Sequence, residues 1–235
     1  MKKLIRSIGI IGDSIMKGVV FDEIIGKYKH LQDSAAALFA KTNNVEIKNH
    51  SKFGCTTDRA LQNLSAILEN DTDMNIVLLE LGGNDCDYNW NAVCADPRRI
   101  HKPNVPYERF KRNLDAIVKK ILHSGKQPLI MTLAPIDADK YFNWIAAGDE
   151  MRSKNLLEFL GDKNYIYRTQ ERYANALEQV AAKYNLVRVN VRDALLNIPK
   201  YSDYLCHDGI HLNERGQRFI KKQFDKVYKE YAIVV

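Results

Sequence analysis

The stretch Ile8–Ile15, with the sequence IGIIGDSI, decides how this chain folds. Its apolar, β-branched run ends abruptly in Gly-Asp-Ser, as a buried parallel strand does when it delivers a polar side chain to the edge of a sheet. Ligands of open α/β sheets bind outside the carboxyl ends of the strands. We therefore expect Ser14 at the mouth of a site, with Gly12 allowing the backbone to turn beneath it. The alternative is a strand-to-helix turn in which Ser14 or Asp13 only caps the next helix.

Four further apolar runs predict strands, and the amphipathic segments between them predict helices. The runs cover residues 45–47, 75–81, 128–133 and 186–190. Residues 15–30 are expected to form a loop with a short helical turn. Strands that alternate with helices imply right-handed crossovers and a parallel sheet covered on both faces. The predicted fold class is therefore α/β, a three-layer α/β/α sandwich around a five-stranded parallel sheet of flavodoxin-like topology.

The sequence also predicts two helix caps and the buried face of one helix. Thr57 is expected to cap the second helix, and Asn213 the last one. A strongly amphipathic helix is expected to bury a stripe that runs from Phe110 to Leu122 and to end at Gly125.

The length of 235 residues fits one α/β domain spanning residues 1–235. Two of its segments stand apart from the regular alternation. Residues 86–106 include three prolines and predict an irregular loop, and loops this long are usually functional or mobile. Residues 136–168 predict an aromatic-rich insertion. No repeat or linker suggests a second domain.

Composition excludes several classes of function. The net charge of +6 comes from basic residues in short pairs, without the long basic stripe of a nucleic-acid-binding protein, so no nucleic-acid partner is expected. Four cysteines without a Cys-x-x-Cys spacing fit neither a zinc knuckle nor a disulfide scaffold. No apolar run is long enough for a membrane span. The segment Met1–Arg6 is only weakly similar to a signal peptide and has no cleavage site, which predicts a cytoplasmic protein.

Four polar stretches are expected to converge at one edge of the sheet, and they have the chemistry of nucleophilic catalysis. A serine hydroxyl needs a base at neutral pH, and a histidine held by a carboxylate supplies one. Asp208 and His211 are three residues apart, so a tight turn can set the carboxylate against one ring nitrogen and aim the other at Ser14. The alternatives are residues that only begin the last helix, or a metal site that adds His207. No further ligand cluster is evident, and no metal is expected.

Acyl transfer also needs hydrogen-bond donors aimed at the developing oxyanion. Three candidates are the N–H of Ser14, the N–H of Gly54 and the side-chain amide of Asn84. The alternatives are that Gly54 is only a loop glycine and that Gly82–Asp85 is only a turn.

These motifs together make the chain similar to the SGNH (GDSL-type) hydrolase family. The matching blocks are Gly12-Asp13-Ser14, Gly54 with Thr56, Gly82-x-Asn84-Asp85 and Asp208-x-x-His211. The resemblance implies that Ser14 is the nucleophile, His211 the general base and then acid, and Asp208 the residue that orients it. It implies an oxyanion hole of Ser14, Gly54 and Asn84, and the same α/β/α fold. The family's usual leucine after the serine is Ile15 here, a conservative change.

The resemblance implies a serine ester hydrolase, whose partner is a small-molecule ester substrate. We expect it to remove small, acetyl-like acyl groups, including those on carbohydrate, through an acyl-enzyme. The alternatives are a lysophospholipase or thioesterase with a longer acyl pocket, and a catalytically silent ligand-binding protein. No Walker motif, dinucleotide fingerprint or His-Glu-x-x-His helix is present, and no cofactor is expected. Nothing in the sequence predicts the oligomeric state.

Residues around the motifs are candidates for supporting roles. Asp85 is expected to orient Asn84 around the turn, and Asp13 lies beside the nucleophile. Four aromatic residues are candidates to stack on a sugar ring or line an acyl pocket, with simple packing of the insertion as the alternative. They are Trp90, Tyr141, Phe142 and Trp144. Three cysteines near the motifs, Cys55, Cys86 and Cys206, are expected to be small packing residues, with a thiol nucleophile or a redox switch as the alternative.

Overall fold

The first strand, β1 (Ser7–Gly12), is buried along its whole length, as its apolar β-branched sequence requires. In this computed structural model, residues 7–234 are described, with side chains as far as residue 230; the predicted leader-like segment 1–6 lies outside them. The other strands are β2 (Val19–Asp22), β3 (Lys27–His30), β4 (Glu46–Asn49), β5 (Ile76–Glu80), β6 (Gln127–Met131) and β7 (Val187–Val189). The helices are α1 (Ala35–Asn43), α2 (Thr57–Asn70), α3 (Trp90–Ala95), α4 (Tyr107–His123), α5 (Ala138–Ala146), α6 (Glu150–Leu160), α7 (Asn164–Lys183), α8 (Val191–Leu196) and α9 (Glu214–Val234), with a 3-10 helix over Tyr201–Tyr204.

Five strands form a parallel sheet in the order β4-β1-β5-β6-β7. Numbered along the chain without the hairpin strands, this order is 2-1-3-4-5, which is the flavodoxin-like order. The predicted five-stranded parallel sheet and its topology are therefore confirmed. Because the chain reverses direction across the sheet at β1, a crevice opens beside the carboxyl end of that strand, where such folds bind ligands.

The two faces of the sheet bury separate apolar clusters, which makes the three layers. Alternate residues of β1 show this: Ile11 packs with α2, α4 and α7 on one face, and Ile10 packs with α1, α8 and α9 on the other. The period of two along a strand produces this division. The largest fully buried side chains include Phe110, Leu114 and Ile117 of α4, as its periodicity predicts.

Residues 15–30 are the main departure from the expected layout. Residues 19–30 form an antiparallel hairpin of β2 and β3 where a loop was expected. The expected short helical turn comes before it, since the Lys17 N–H donates to the Asp13 carbonyl oxygen at 3.0 Å. The four-residue connection ends in Gly26, whose φ of +62° suits glycine. Val19 and Val20 are buried, whereas β3 is exposed except at the half-buried Tyr28, so the hairpin packs mainly through β2. A four-residue strand shows too few alternations for its period to be recognised.

The structure also differs from the predictions for one helix cap and for the buried face of α4. Thr56, not Thr57, caps α2: its hydroxyl accepts from the Arg59 N–H at 3.5 Å. Leu122 lies off the buried stripe and is 40% exposed, whereas α4 ends beside Gly125 as expected. Asn213 precedes α9, and its side chain accepts from the Gly216 N–H at 3.1 Å, as a cap does.

Both the predicted irregular loop and the predicted aromatic-rich insertion contain helices. The segment 86–106 includes α3, whose N-cap Asn89 accepts from the Ala92 N–H at 3.1 Å. The insertion 136–168 consists of α5, α6 and the start of α7, and its aromatic residues pack into a third apolar cluster with α3. That residues 1–235 form one domain stays a prediction.

Two further predictions concern the chain as a whole. The four cysteines are free thiols, three of them buried, so no disulfide supports the part of the fold that the structure describes. Over the same residues, none of the helices combines the length and the apolar character needed to cross a bilayer.

We expect Gly216→Ala to destabilise the protein, although alanine normally favours a helix interior by about 1 kcal/mol. A Cβ at Gly216 would lie 2.4 Å from the Tyr204 carbonyl oxygen and 2.7 Å from Leu212 Cβ. Overpacking of this kind costs about 1–3 kcal/mol. Urea unfolding should show that loss, while Arg218→Ala, at an exposed position of the same helix, should be nearly neutral. A stabilised Gly216→Ala protein would contradict the packing at the start of α9.

Candidate active site

Ser14, His211 and Asp208 form a continuous chain of hydrogen bonds beyond the carboxyl end of β1. The Ser14 Oγ lies 2.9 Å from His211 Nε2, and His211 Nδ1 lies 2.7 Å from Asp208 Oδ2. All three residues are buried, with exposed fractions of 6%, 4% and 0%. The structure thus brings together the three residues predicted to act on the substrate.

The local backbone explains why a three-residue spacing suffices. Asp208 Oδ1 accepts from the N–H groups of Ile210 and His211, both at 3.0 Å, which closes a tight Asx turn. Gly209 within the turn has a φ of +74°, and a Cβ there would lie 2.7 Å from the Asp137 carbonyl oxygen. The turn therefore requires glycine for two reasons, its conformation and its close approach to a neighbouring segment.

The charge of Asp208 determines which ring nitrogen of His211 carries the proton. Burial opposes ionisation, but the His211 ring and the N–H groups of Ile210 and His211 outweigh it, so the pKa of Asp208 lies below its ordinary value. A carboxylate can only accept, so Nδ1 is the donor to Asp208. In the neutral imidazole, Nε2 is then free to accept the Ser14 proton.

Tyr28 of the hairpin also belongs to this site, although the sequence did not indicate it. Its hydroxyl donates to Asp208 Oδ2 at 2.9 Å, and its ring centroid lies 4.9 Å from that of His211. Burial, followed by the Asp208 charge, raises the pKa of Tyr28, so the hydroxyl stays protonated as a donor. The only signal available was the Val-Val-Phe run of β2, and nothing in it relates Tyr28 to a residue 180 positions away.

The three residues predicted to supply oxyanion donors differ in whether they line the cavity at the active site. Ser14 and Asn84 line one cavity with His211; Gly54 does not, although its neighbour Phe53 does. The loop that carries Gly54 is held to the nucleophile turn, because the Lys52 N–H donates to the Gly12 carbonyl oxygen at 3.1 Å. Within the described residues, the N–H groups of Ser14 and Gly54 have no acceptor, so both remain available.

Asn84 is oriented by Asp13, not by Asp85 as expected. Its amide donates one hydrogen to Asp13 Oδ2 at 2.9 Å, which leaves the second hydrogen for a ligand. Asp85 instead accepts from the Thr57 N–H at 2.9 Å and from the Thr57 hydroxyl. Burial raises the pKa of Asp85 to about 7.

A second buried carboxyl group lies behind Asp13. The Asp13 N–H donates to Glu80 Oε2 at 3.2 Å, and both side chains are 2% exposed. Burial raises the pKa of both groups, and the neighbouring Asp13 charge raises that of Glu80 further. Two like charges in this position are unfavourable, so Glu80 is the protonated member of the pair. It therefore lies behind the oxyanion donors as a neutral group.

The four predicted aromatic candidates divide into two pairs. Trp90 and Tyr141 line the cavity beside Ser14, whose volume is about 230 Å³. Phe142 is buried in the packing of the insertion, and Trp144 packs against Phe21 of the hairpin at 4.9 Å between ring centroids. Many other residues that line the cavity had no predicted role, among them Asp87, Tyr88, Tyr165, Ile166, Thr169 and Gln170.

The cysteines near the motifs are packing residues. Cys55, Cys86 and Cys206 are all buried. Burial raises the pKa of Cys55 and of Cys206 to about 11, so both are thiols at neutral pH. A protonated, buried thiol is a poor nucleophile, which argues against the alternative of a reactive cysteine.

The arrangement is also unlike the metal site considered as an alternative. His207 is exposed, and both ring nitrogens of His211 already have partners in Ser14 and Asp208. Over residues 7–234, no group of three or more His, Cys, Asp or Glu side chains is placed to hold a metal ion.

Comparison with known proteins identifies relatives along nearly the whole chain. The sequence profile of the GDSL-like lipase/acylhydrolase family matches residues 10–219. A GDSL esterase/lipase of Oryza sativa subsp. japonica is 22% identical over 202 residues, which cover 83% of this chain and 69% of that protein.

Solved structures share the fold at low sequence identity. A lipase/acylhydrolase from Enterococcus faecalis superposes with a TM-score of 0.67 at 18% identity, covering 96% of this chain and 95% of the other. A catalytic mutant of an acetylxylan esterase from Geobacillus stearothermophilus gives a TM-score of 0.62 at 16% identity, covering 94% and 93%. Both are three-layer folds of nearly the same extent.

We expect Glu80→Gln to stabilise the protein increasingly as the pH rises. A group whose pKa is raised on folding contributes its stability below its unfolded-state pKa and loses it as the pH rises through the folded-state pKa. The free energy of unfolding of wild type should therefore fall as the pH rises above the ordinary pKa range of glutamate. That of Glu80→Gln, whose side chain is a neutral amide, should not fall in this way. Thermal unfolding at pH 6, 7.5 and 9 measures the difference. The exposed control Glu69→Gln should show the same pH dependence of stability as wild type. The same pH dependence in Glu80→Gln would contradict a protonated Glu80.

Proposed function

The chain belongs to the GDSL-like lipase/acylhydrolase family and is a carboxylic ester hydrolase, and on that premise we propose that it removes small acyl groups, including acetyl groups on carbohydrate, through an acyl-enzyme on Ser14. The observation that carries the proposal is the unbroken relay from Asp208 through His211 to Ser14 at the wall of a cavity. A serine with this relay is activated at neutral pH.

In the proposed first half-reaction, the Ser14 oxygen attacks the carbonyl carbon of the ester. Nε2 of His211 takes the serine proton as the new C–O bond forms, and the carbonyl oxygen becomes an oxyanion. The tetrahedral intermediate collapses when the bond to the alcohol oxygen breaks, and His211 returns its proton to that oxygen. The alcohol leaves, and the acyl group stays on Ser14.

The second half-reaction repeats these steps with water. His211 takes a proton from the water as it attacks the acyl carbon, and then returns the proton to the Ser14 oxygen as the acid is released. Asp208 remains a carboxylate throughout and stabilises the imidazolium that forms in each half.

The oxyanion hole consists, in this proposal, of the free donors around Ser14. They are the backbone N–H groups of Ser14 and Gly54 and the second amide hydrogen of Asn84. Asp13 fixes the Asn84 amide from behind, and the protonated Glu80 leaves no second full negative charge beside the developing oxyanion. Preorganised donors of this kind typically contribute a factor of about 10² to 10³ each.

Two features support small or carbohydrate-linked acyl groups. The cavity of about 230 Å³ carries polar side chains such as Asp87 beside its aromatic walls, which suits a polar substrate. A similar structure is that of an acetylxylan esterase. A longer acyl chain is the second candidate, because Leu133, Ile136 and Ile166 line the same cavity. The silent ligand-binding alternative has less support, since the relay and the free donors serve catalysis and not binding alone.

We expect p-nitrophenyl esters from acetate to palmitate to be hydrolysed with a preference for the short chains. Ser14→Ala should lower kcat by roughly four orders of magnitude or more without unfolding the protein. Ser65→Ala, an exposed serine of α2, should leave turnover unchanged. A preference for long chains would replace the small-acyl proposal by the second candidate, and turnover that survives in Ser14→Ala would refute the serine mechanism.

We expect Tyr28→Phe to lower kcat about tenfold, since a hydrogen bond to a charged group contributes on the order of 1.5–3 kcal/mol. Without the hydroxyl, the pKa of Asp208 rises because its charged form loses a donor, so activity should begin to fail at a higher pH on the acid side. The pH dependence of kcat and of kcat/KM tests both effects, with KM nearly unchanged. Tyr228→Phe, in the apolar cluster beside α1 and outside the active-site cavity, is the control. Identical pH profiles for Tyr28→Phe and wild type would show that the hydrogen bond has no role in orienting His211.

A further inference from the structure

The inner wall of the cavity carries a carboxylate that the proposed mechanism does not use. Asp87 lies three residues beyond Asn84 and lines the same cavity as Ser14. Trp90 at the start of α3 and Tyr141 of α5 flank it. It thus faces the space in which a substrate held by Ser14 must extend.

The hydrogen bonds of Asp87 come only from neutral groups. Its Oδ1 accepts from Trp90 Nε1 at 2.7 Å and from the Tyr141 hydroxyl at 2.8 Å, and its Oδ2 lies 2.9 Å from that same hydroxyl. No lysine, arginine or histidine within residues 7–230 forms an ion pair with it. Burial raises the pKa of Asp87, which reflects this missing counter-charge.

A carboxylate kept in a cavity without a cationic partner is unfavourable for folding alone. Such groups concentrate at functional sites, where the interaction that compensates them is made with a ligand. A carboxylate can accept about four hydrogen bonds, and Asp87 has three donors, which are the Trp90 N–H, the Tyr141 hydroxyl and the backbone N–H of Tyr88. One acceptor position therefore remains for a ligand.

The same cavity holds a second polar group without an assigned partner. Thr169 of α7 is 5% exposed and lines the cavity, and its hydroxyl forms no side-chain hydrogen bond within the described part of the chain. The inner cavity therefore offers an acceptor and a hydroxyl between apolar walls, which is the pattern expected for a ligand that carries its own hydroxyl groups.

We propose that Asp87 is a specificity-determining residue that accepts a hydrogen bond from a hydroxyl group of the substrate. This inference rests on the proposed esterase function and narrows its substrate class to hydroxylated esters. The hydroxyl has two possible sources, the alcohol part, as in a sugar acetate, or the acyl part, as in a hydroxyacyl ester.

The test compares each hydroxylated ester with a partner that lacks the hydroxyls. For the alcohol part, the pair is a monoacetate of methyl xyloside and tetrahydropyran-4-yl acetate. For the acyl part, the pair is p-nitrophenyl 3-hydroxybutyrate and p-nitrophenyl butyrate. The readout is the ratio of kcat/KM within a pair, which a purely structural role of Asp87 would not change.

The variants are Asp87→Asn and the control Asp96→Asn. An asparagine keeps one oxygen for Trp90 and Tyr141 and replaces the other by a donor, so the surroundings of residue 87 retain their partners. Asp96 is exposed at the end of α3 and does not line the cavity, and its substitution makes the same change of charge.

In wild type we expect a ratio of about ten to one hundred for one of the two pairs, since the hydrogen bond involves a charged acceptor. The pair that shows it identifies the source of the hydroxyl. The ratio should fall toward one in Asp87→Asn and persist in Asp96→Asn.

A wild-type ratio near one for both pairs, which needs no variant to measure, would overturn the inference, as would a ratio that survives in Asp87→Asn. Either result, together with p-nitrophenyl acetate turnover that depends on Ser14, leaves the proposed function intact. Turnover that is independent of Ser14 would refute the proposed function itself.

Discussion

A fully buried carboxylate must have every hydrogen-bonding position satisfied, and at Asp208 this constraint connects the parts of the molecule that make the site. Two donors are backbone N–H groups of its own turn, one is the His211 ring, and one is the Tyr28 hydroxyl. The terminal loop, the hairpin and, through His211, the end of β1 are thereby fixed relative to one another. The loss of any one donor leaves a desolvated charge partly unpartnered, so the geometry of the site and the stability of this region depend on the same contacts.

The parallel sheet supplies the second constraint. Because all five strands run in the same direction, the polar residues that follow β1 and β5 emerge at one edge, where the strand order reverses. Ser14 and Asn84 are neighbours for this reason, although 70 positions separate them. Helices on both faces bury the strands.

The features predictable from the sequence were those encoded within a few residues. The strand that ends in Gly-Asp-Ser and the Asp-x-x-His spacing predicted the sheet edge and the relay, because a turn of three or four residues fixes each of them. Orientation over longer distances was not encoded in this way. Asp85 satisfies the free Thr57 N–H at the start of α2, a need that only the packed helix creates, and Asp13 is left to hold Asn84. Asp87 is held at the cavity by the Trp90 side chain of α3 and the Tyr141 side chain of α5, a pairing that no local pattern encodes.

The hairpin of β2 and β3 has a consequence for how activity fails on heating. An isolated two-stranded ribbon is marginally stable, and this one is held mainly by the buried Val19 and Val20 of β2 and by Tyr28 of β3. Its opening has its own free energy, smaller than that of the whole fold, as is usual for peripheral elements. Each opening event removes the Tyr28 hydroxyl from Asp208 while the central sheet stays intact. We therefore expect activity to fall on heating before the central sheet melts.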